Sequence, residues 1–105
     1  MGKKESEFQH SLIKELKERF PGAVVLKNDA NYIQGIPDLV VLYGDKWGML
    51  ECKASSSASH RPNQDYYISS LNKLSFASFI SPETKEEVLN ELERSFKAGR
   101  ETCNS

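Results

Sequence analysis

The sequence lacks several patterns that mark common classes of protein. It has 2 cysteines in 105 residues, Cys52 and Cys103, which are too few for a disulfide framework. No apolar run approaches the length of a membrane span, and the first residues do not resemble a signal peptide. A Gly-rich phosphate loop and the paired Cys/His spacing of a zinc site are also missing. We therefore expect an intracellular protein with no membrane partner.

Charge of one sign is not in excess either. The 14 Lys and Arg residues against 15 Asp and Glu residues give a formal net charge of −1. Most nucleic-acid-binding domains are basic, so this balance argues mildly against such a partner, unless bound divalent cations reverse the local charge. A hydrophobic content of 38% is enough for one modest core. We predict a single domain over residues 1–105, with a core from about 4 to 97 and a polar tail from 98 to 105.

Hydrophobic periodicity and turn residues predict an α/β fold in the order α-β-β-β-α-β-α, with a mixed central sheet flanked by helices. Ser81 is a favourable N-cap for the last helix, with Pro82 at its first position, and Gly99 is expected to end it. The predicted helices span 4–20, 62–74 and 82–97, and the predicted strands span 23–27, 39–43, 47–50 and 76–80.

Two short segments that carry carboxylates lie close together in the sequence. Ile36-Pro37-Asp38 opens one apolar run, and Glu51-Cys52-Lys53 closes the next, with a polar break at Gly44-Asp45-Lys46 between them. The pattern predicts a β-hairpin. Because side chains alternate between faces of a strand, Glu51 and Lys53 share a face. The hairpin can therefore bring Asp38, Glu51 and Lys53 to one point.

Charged residues inside apolar strands are normally excluded unless they are paired or bind a metal. For an isolated Glu-x-Lys, a simple salt bridge is the favoured interpretation. The neighbouring Asp38 shifts the balance, because two converging carboxylates suit a hard cation such as Mg²⁺. Lys53 could then orient an attacking water and offset charge on a phosphate. The Cys52 side chain faces away, but its backbone carbonyl lies between the two side chains and is a further candidate ligand.

Two helices supply further candidates. Glu5 falls on the same helical face as Phe8 and Leu12, whereas Glu7 falls on the opposite side. A glutamate near a helix N-terminus is also favourable through the helix dipole alone, so both interpretations of Glu5 stay open. In the second predicted helix, Gln64, Ile68 and Leu71 follow one another at helical spacing, so Gln64 should face the sheet. The alternative is that Gln64 only borders the apolar face of an amphipathic helix, which is common for glutamine.

These residues together resemble a known family. Gly35-Ile36-Pro37-Asp38, Glu51-Cys52-Lys53 and Gln64 resemble the core of the PD-(D/E)XK nuclease superfamily, in the form found in its VRR-NUC branch, over about residues 5–92. The resemblance implies a restriction-endonuclease-like core and a Mg²⁺- or Mn²⁺-dependent phosphodiesterase acting on DNA, related in fold to Holliday-junction resolvases.

The resemblance also implies a role for each site residue. Asp38, Glu51 and the Cys52 carbonyl would bind the metal, Lys53 would position the attacking water, and Gln64 would support the site. The family has a glutamate in its first helix, which favours Glu5 over Glu7. Glu5 would then hold a second metal ion or the water bound to it. Candidate DNA contacts are Lys27, Asn31, Gln34, His60, Arg61 and Lys73.

A branched substrate such as a Holliday junction is the leading expectation. The alternatives are a sequence-specific nickase or homing-type endonuclease, and a non-catalytic DNA-binding module of the same fold. We expect a homodimer, because symmetric cutting of two strands needs two sites. Burial of the last helix on the sheet competes with its use as an interface. The candidate interface residues are Tyr66, Tyr67, Val88, Leu89, Leu92 and Phe96.

Overall fold

Three helices and four strands follow one another in the predicted order α-β-β-β-α-β-α. The computed structural model describes residues 3–103, and the side chains of residues 3–98. Together the elements form an α/β fold around one mixed sheet, as the sequence predicted. The elements are α1 (Lys3–Arg19), β1 (Val24–Lys27), β2 (Leu39–Tyr43), β3 (Lys46–Cys52), α2 (Pro62–Leu74), β4 (Phe76–Ile80) and α3 (Lys85–Cys103).

The sheet has the strand order β1-β2-β3-β4, with β1 and β4 at its two edges. β1, β2 and β3 are antiparallel neighbours, whereas β4 runs parallel to β3. Tyr43 pairs with Lys46, so the hairpin turn is the two residues Gly44 and Asp45, and Lys46 belongs to β3. Gly44 has a φ of 63°, a conformation that two-residue hairpin turns require and that glycine adopts without strain.

Alternation along the strands divides the sheet into two faces. The inner face carries Leu39, Val41, Leu50 and Cys52, which are fully buried beneath α1 and α3. The outer face carries the side chains that alternate with these, and α2 covers only the part of it over β3 and β4. No residue of α2 is fully buried. The helices contribute Leu12, Leu16, Val88, Leu89, Leu92 and Phe96 to the core, and Phe20, the residue after α1, packs with them.

The burial of α3 corrects one expectation. Its apolar residues Val88, Leu89, Leu92 and Phe96 are at most 6% exposed and belong to the core, so they are not available for a dimer interface. The competing explanation, burial on the sheet, is confirmed. No helix in the described part of the chain is long and apolar enough to cross a membrane.

The bounds of α3 also differ from the prediction. The helix begins at Lys85, because Ser81 and Thr84 first close a separate turn. In that turn the Ser81 N–H donates to Thr84 Oγ1 at 3.0 Å, and the Thr84 N–H donates to the Ser81 carbonyl at 3.1 Å. The helix then continues through Gly99 to Cys103, so the predicted polar tail is helical over 98–103. A single glycine costs a helix only about 1 kcal/mol, which is too little to end it reliably. Residues 104 and 105 of the predicted tail lie outside the described residues.

Candidate active site

Asp38 and Glu51 lie opposite each other at the open end of the β2–β3 hairpin. The register pairs Leu39 with Leu50, which makes Asp38 and Glu51 the next facing positions. The Asp38 N–H donates to Glu51 Oε1 at 3.1 Å, and the Cys52 N–H donates to Asp38 Oδ2 at 3.0 Å. Each carboxylate is therefore held by a backbone amide of the other strand. This reciprocal arrangement fixes both side chains before any ligand is present.

The two carboxylates repel each other in a partly dry environment. Glu51 is only 5% exposed, and burial, followed by the charge of Asp38, raises the pKa of Glu51 to about 7. Burial also raises the pKa of Asp38, against the opposing effect of the Cys52 N–H. None of the ion pairs between described side chains includes either carboxylate. The charge of Lys53 lowers both pKa values, but Lys53 forms no ion pair with either carboxylate, so the repulsion of the pair is only partly offset.

Gln64 connects Glu51 to Lys53. Its Nε2 donates to Glu51 Oε2 at 2.9 Å, while its Oε1 accepts hydrogen bonds from Lys53 Nζ at 2.8 Å and from the Arg61 N–H at 3.1 Å. Lys53 Nζ also donates to the Ser59 carbonyl at 3.2 Å. Glu51 and Lys53 therefore do not form the direct salt bridge that a Glu-x-Lys pattern favours. Gln64 connects them through two hydrogen bonds instead. Gln64 faces the sheet, as its helical spacing predicted.

Helix α1 presents Glu5 to this region and Glu7 to solvent. Glu5 is half-buried and Glu7 is exposed, as the helical periodicity predicted, and Gln9 one turn further on is 8% exposed. The charge of Glu5 raises the pKa values of Asp38 and Glu51. Among the described residues, however, no three His, Cys, Asp or Glu side chains lie close enough together to form a metal-binding group. Glu5 is therefore a neighbour of the carboxylate pair and not a third member of one cluster.

A cavity of about 230 Å³ opens in front of the carboxylate pair. Asp38, Glu51 and Gln64 line it together with three of the candidate DNA contacts, Asn31, Gln34 and Arg61. The other candidates lie elsewhere. His60 lines a neighbouring cavity with Lys53, and both Lys27 at the end of β1 and Lys73 in the last turn of α2 lie outside these two cavities.

Two residues that position the site were given no role in the sequence analysis. The Asn28 N–H donates to the Asp38 carbonyl, and Asn28 Nδ2 donates to the Pro37 carbonyl, both at 2.8 Å, so Asn28 anchors the start of β2. Gly35 has a φ of 91°, and a Cβ there would lie 2.7–2.9 Å from Asn63. The residue before Ile36 must therefore be glycine for the loop to pack on α2. The Gly-x-Pro-Asp motif carried a signal for Gly35, whereas Asn28 carried none.

Cys52 does not contribute a nucleophile. Its side chain is fully buried on the inner face. Burial, followed by the charge of Asp38, raises the pKa of the thiol far above its usual value, so the thiolate is not populated near neutral pH. The chemistry of the site therefore rests on carboxylates, an amide and an amine.

Comparison of the chain with protein-family models, with curated proteins and with solved structures found no match. The interpretation of the site consequently rests on its own geometry and on the motifs named above.

Proposed function

We propose that this chain is a Mg²⁺- or Mn²⁺-dependent DNA endonuclease that hydrolyses phosphodiester bonds, with a restriction-endonuclease-like core. The observation that carries the proposal is the carboxylate pair itself. Asp38 and Glu51 are held rigidly side by side, mostly removed from water, and linked through Gln64 to an amine. Such an arrangement is costly for folding, so a purely structural role explains it poorly.

The residues present fit a hard divalent cation. Carboxylates are the oxygen ligands that Mg²⁺ and Mn²⁺ prefer, and the only partly offset charge of this pair is what a cation would neutralise. Asp38, Glu51 and the Cys52 carbonyl would hold it, and Glu5 would hold a second ion or its water. When bound, the cation lowers the pKa of a bound water and offsets the charge that develops on phosphate.

Lys53 is the group that would act on the attacking water. A lysine ammonium has three N–H donors, of which Gln64 Oε1 and the Ser59 carbonyl accept two. The third is left to orient a water molecule or a phosphate oxygen. Arg61, Gln34 and Asn31 line the cavity in front of the carboxylate pair and would bind the phosphate backbone. As in the family that the motifs resemble, in-line attack would break the P–O3′ bond and leave a 5′-phosphate.

The branched substrate and the homodimer complete the proposal. The branched substrate rests on the resemblance to resolvase-like nucleases.

The homodimer rests on an exposed apolar strip at the edge of the sheet. β1 is an edge strand, and its outer-face side chains Val24 and Leu26 are 51% and 47% exposed beside Leu42 at 38%. A second copy packed on this apolar strip through a two-fold axis would bury it and supply the second active site. Of the candidates from the sequence, Tyr66, at 63% exposed, is accessible for the same role.

A cleavage assay on linear, nicked, flap and four-way DNA, with Mn²⁺ or with EDTA, tests the function. Wild-type protein should cut in Mn²⁺ only, and Asp38→Asn should be inactive. Asparagine at 38 still accepts the Cys52 N–H, so the fold should be kept. Glu7→Gln, a charge removal at an exposed position of α1, is the matched control and should cut normally. Cleavage by Asp38→Asn at near the wild-type rate would contradict the assignment.

A further inference from the structure

A second cavity of about 290 Å³ is lined by Lys53 but by neither carboxylate of the pair. Because β3 and β4 are parallel, their C-terminal ends at Cys52 and Ile80 lie side by side at one end of the sheet. Residues at this end of the sheet line both cavities. The loop that follows β3 and the turn that precedes α3 form the two rims. The Ser56 N–H donates to Glu83 Oε2 at 3.3 Å and joins these rims. The volume is close to the lower limit for small-ligand pockets.

Two aromatic rings that line this cavity form a stacked pair. The His60 ring stacks on Phe79 with a centroid distance of 3.7 Å and an interplanar angle of 13°. Asp65 Oδ1 lies 3.1 Å from His60 Nδ1 and fixes the imidazole in that orientation. Lys53 Nζ lies 5.9 Å from the centre of the Phe79 ring. The stacked rings therefore lie next to the amine of Lys53, the lysine of the cleavage site.

The part of this cavity near α3 is acidic and rich in hydroxyl groups. Glu87 and Glu91 line it from successive turns of α3, together with Ser81 and Thr84. Carboxylates repel a phosphate but accept hydrogen bonds from the N–H groups of a base edge. Lys53 stands on the side that faces the cleavage site. The charge distribution therefore suits a nucleotide whose phosphate stays near Lys53 and whose base points towards α3.

We propose that this second cavity binds one unpaired nucleobase next to the phosphate that is cut. The base would stack on the face of the exposed His60 ring that is turned away from Phe79 and donate from its exocyclic amino group to Glu91 or Glu87, which favours cytosine over thymine. Single-strand binding sites use the same combination of aromatic stacking and base-edge contacts. The inference rests on the proposed function, because that function brings DNA to Lys53, and it names the feature of branched DNA that is recognised.

The test compares binding of three fluorescein-labelled duplexes of equal length and charge by fluorescence anisotropy in EDTA. Each has a single unpaired residue in the middle, which is cytidine, thymidine or an abasic site. Wild-type protein should bind the cytidine duplex about tenfold more tightly than the abasic duplex, the contribution of one stacked base. Ser56→Trp would fill the mouth of the cavity from an exposed loop position and should abolish this difference. Ser69→Trp, at an exposed position of α2 outside the cavity, should retain it.

A second variant keeps the test independent of the bulky substitution. Glu91→Gln should reduce the preference for cytidine over thymidine while leaving both duplexes bound more tightly than the abasic one. Equal binding of all three duplexes by wild-type protein would overturn the inference, and so would an unchanged cytidine preference in Ser56→Trp. Cleavage of the cytidine duplex in Mn²⁺ is scored separately. Cleavage without base discrimination overturns only the base site, and base discrimination without cleavage overturns only the nuclease function.

Discussion

The carboxylate pair makes a quantitative prediction for the stability of the metal-free protein. The ordinary pKa of Glu51 is 4.5, and burial together with Asp38 raises it to about 7 in the folded state. Between these two pH values the folded protein holds a proton that the unfolded chain has released. The folded state therefore loses stability as the pH rises through this window, and the loss is complete above it. At 1.36 kcal/mol per pH unit, the total loss is about 3 kcal/mol.

The perturbation that isolates this effect is Glu51→Gln. The variant has a constant defect: both oxygens of Glu51 accept hydrogen bonds, from the Asp38 N–H and from Gln64 Nε2, whereas glutamine has one oxygen, so its NH2 group would face one of these two donors. This defect does not depend on pH and drops out of the comparison, as does every contribution that wild type and variant share. What remains is the change with pH in the difference in free energy of unfolding between wild type and variant.

Urea unfolding followed by the fluorescence of Trp47, the single tryptophan, measures that difference in EDTA. Between pH 4.5 and pH 8 the wild type should lose about 3 kcal/mol relative to the variant. Mn²⁺ at 100 times its dissociation constant should return about 2.7 kcal/mol to the wild type at pH 8 and little to Asp38→Asn. Parallel pH profiles for wild type and Glu51→Gln would refute the reasoning, because the carboxylate pair would then carry no unfavourable charge.

Three further predictions concern residues around the pair. Glu5→Gln should slow cleavage strongly and Glu7→Gln should not, since only Glu5 is turned towards the site; the reverse ranking in single-turnover assays would reject this placement. Gly35→Ala combines an unfavourable φ with an overlap against the first turn of α2, so thermal unfolding should show a loss of about 1–3 kcal/mol, and unchanged stability would contradict the loop packing. Leu26→Asp should convert the proposed dimer to monomer in sedimentation equilibrium, whereas Leu74→Asp, at an exposed position away from β1, should not; a wild-type protein that is monomeric yet cuts four-way DNA in concert would reject the dimer.

The sequence predicted the order of elements and most of the sheet because its local signals agree with the tertiary structure. The apolar runs of β2 and β3 alternate with the pleat, and a single turn joins them, so the facing of Asp38 and Glu51 follows from counting residues. The start of α3 was wrong for the opposite reason. Ser81 and Pro82 are residues that typically start a helix. Here the Thr84 hydroxyl accepts a hydrogen bond from the Ser81 N–H, which closes a separate turn, and the helix begins only at Lys85.

The anchoring of β2 could not have been predicted because it depends on contacts across a loop. Asn28 is one of several polar residues between β1 and β2, and nothing in its neighbours distinguishes it from Asp29 or Asn31. Only the folded loop brings its amide to the Pro37 carbonyl, where it holds the segment that carries Asp38. Periodicity describes which face of an element a side chain occupies, and it contains no information about partners that a loop supplies.

The link between Lys53 and Glu51 shows the same limit at the centre of the site. A Glu-x-Lys strand places both side chains on one face, roughly 7 Å apart along the strand, which is compatible with either a direct ion pair or a bridged one. The position of Gln64 in α2 determines that the pair is bridged. The Arg61 N–H and the Lys53 amine both donate to Gln64 Oε1, and this orients Gln64 Nε2 towards Glu51. Gln64 thus holds the lysine amine close to the carboxylates without a direct ion pair between them. A direct ion pair would have satisfied Glu51 and left less reason for a cation to bind.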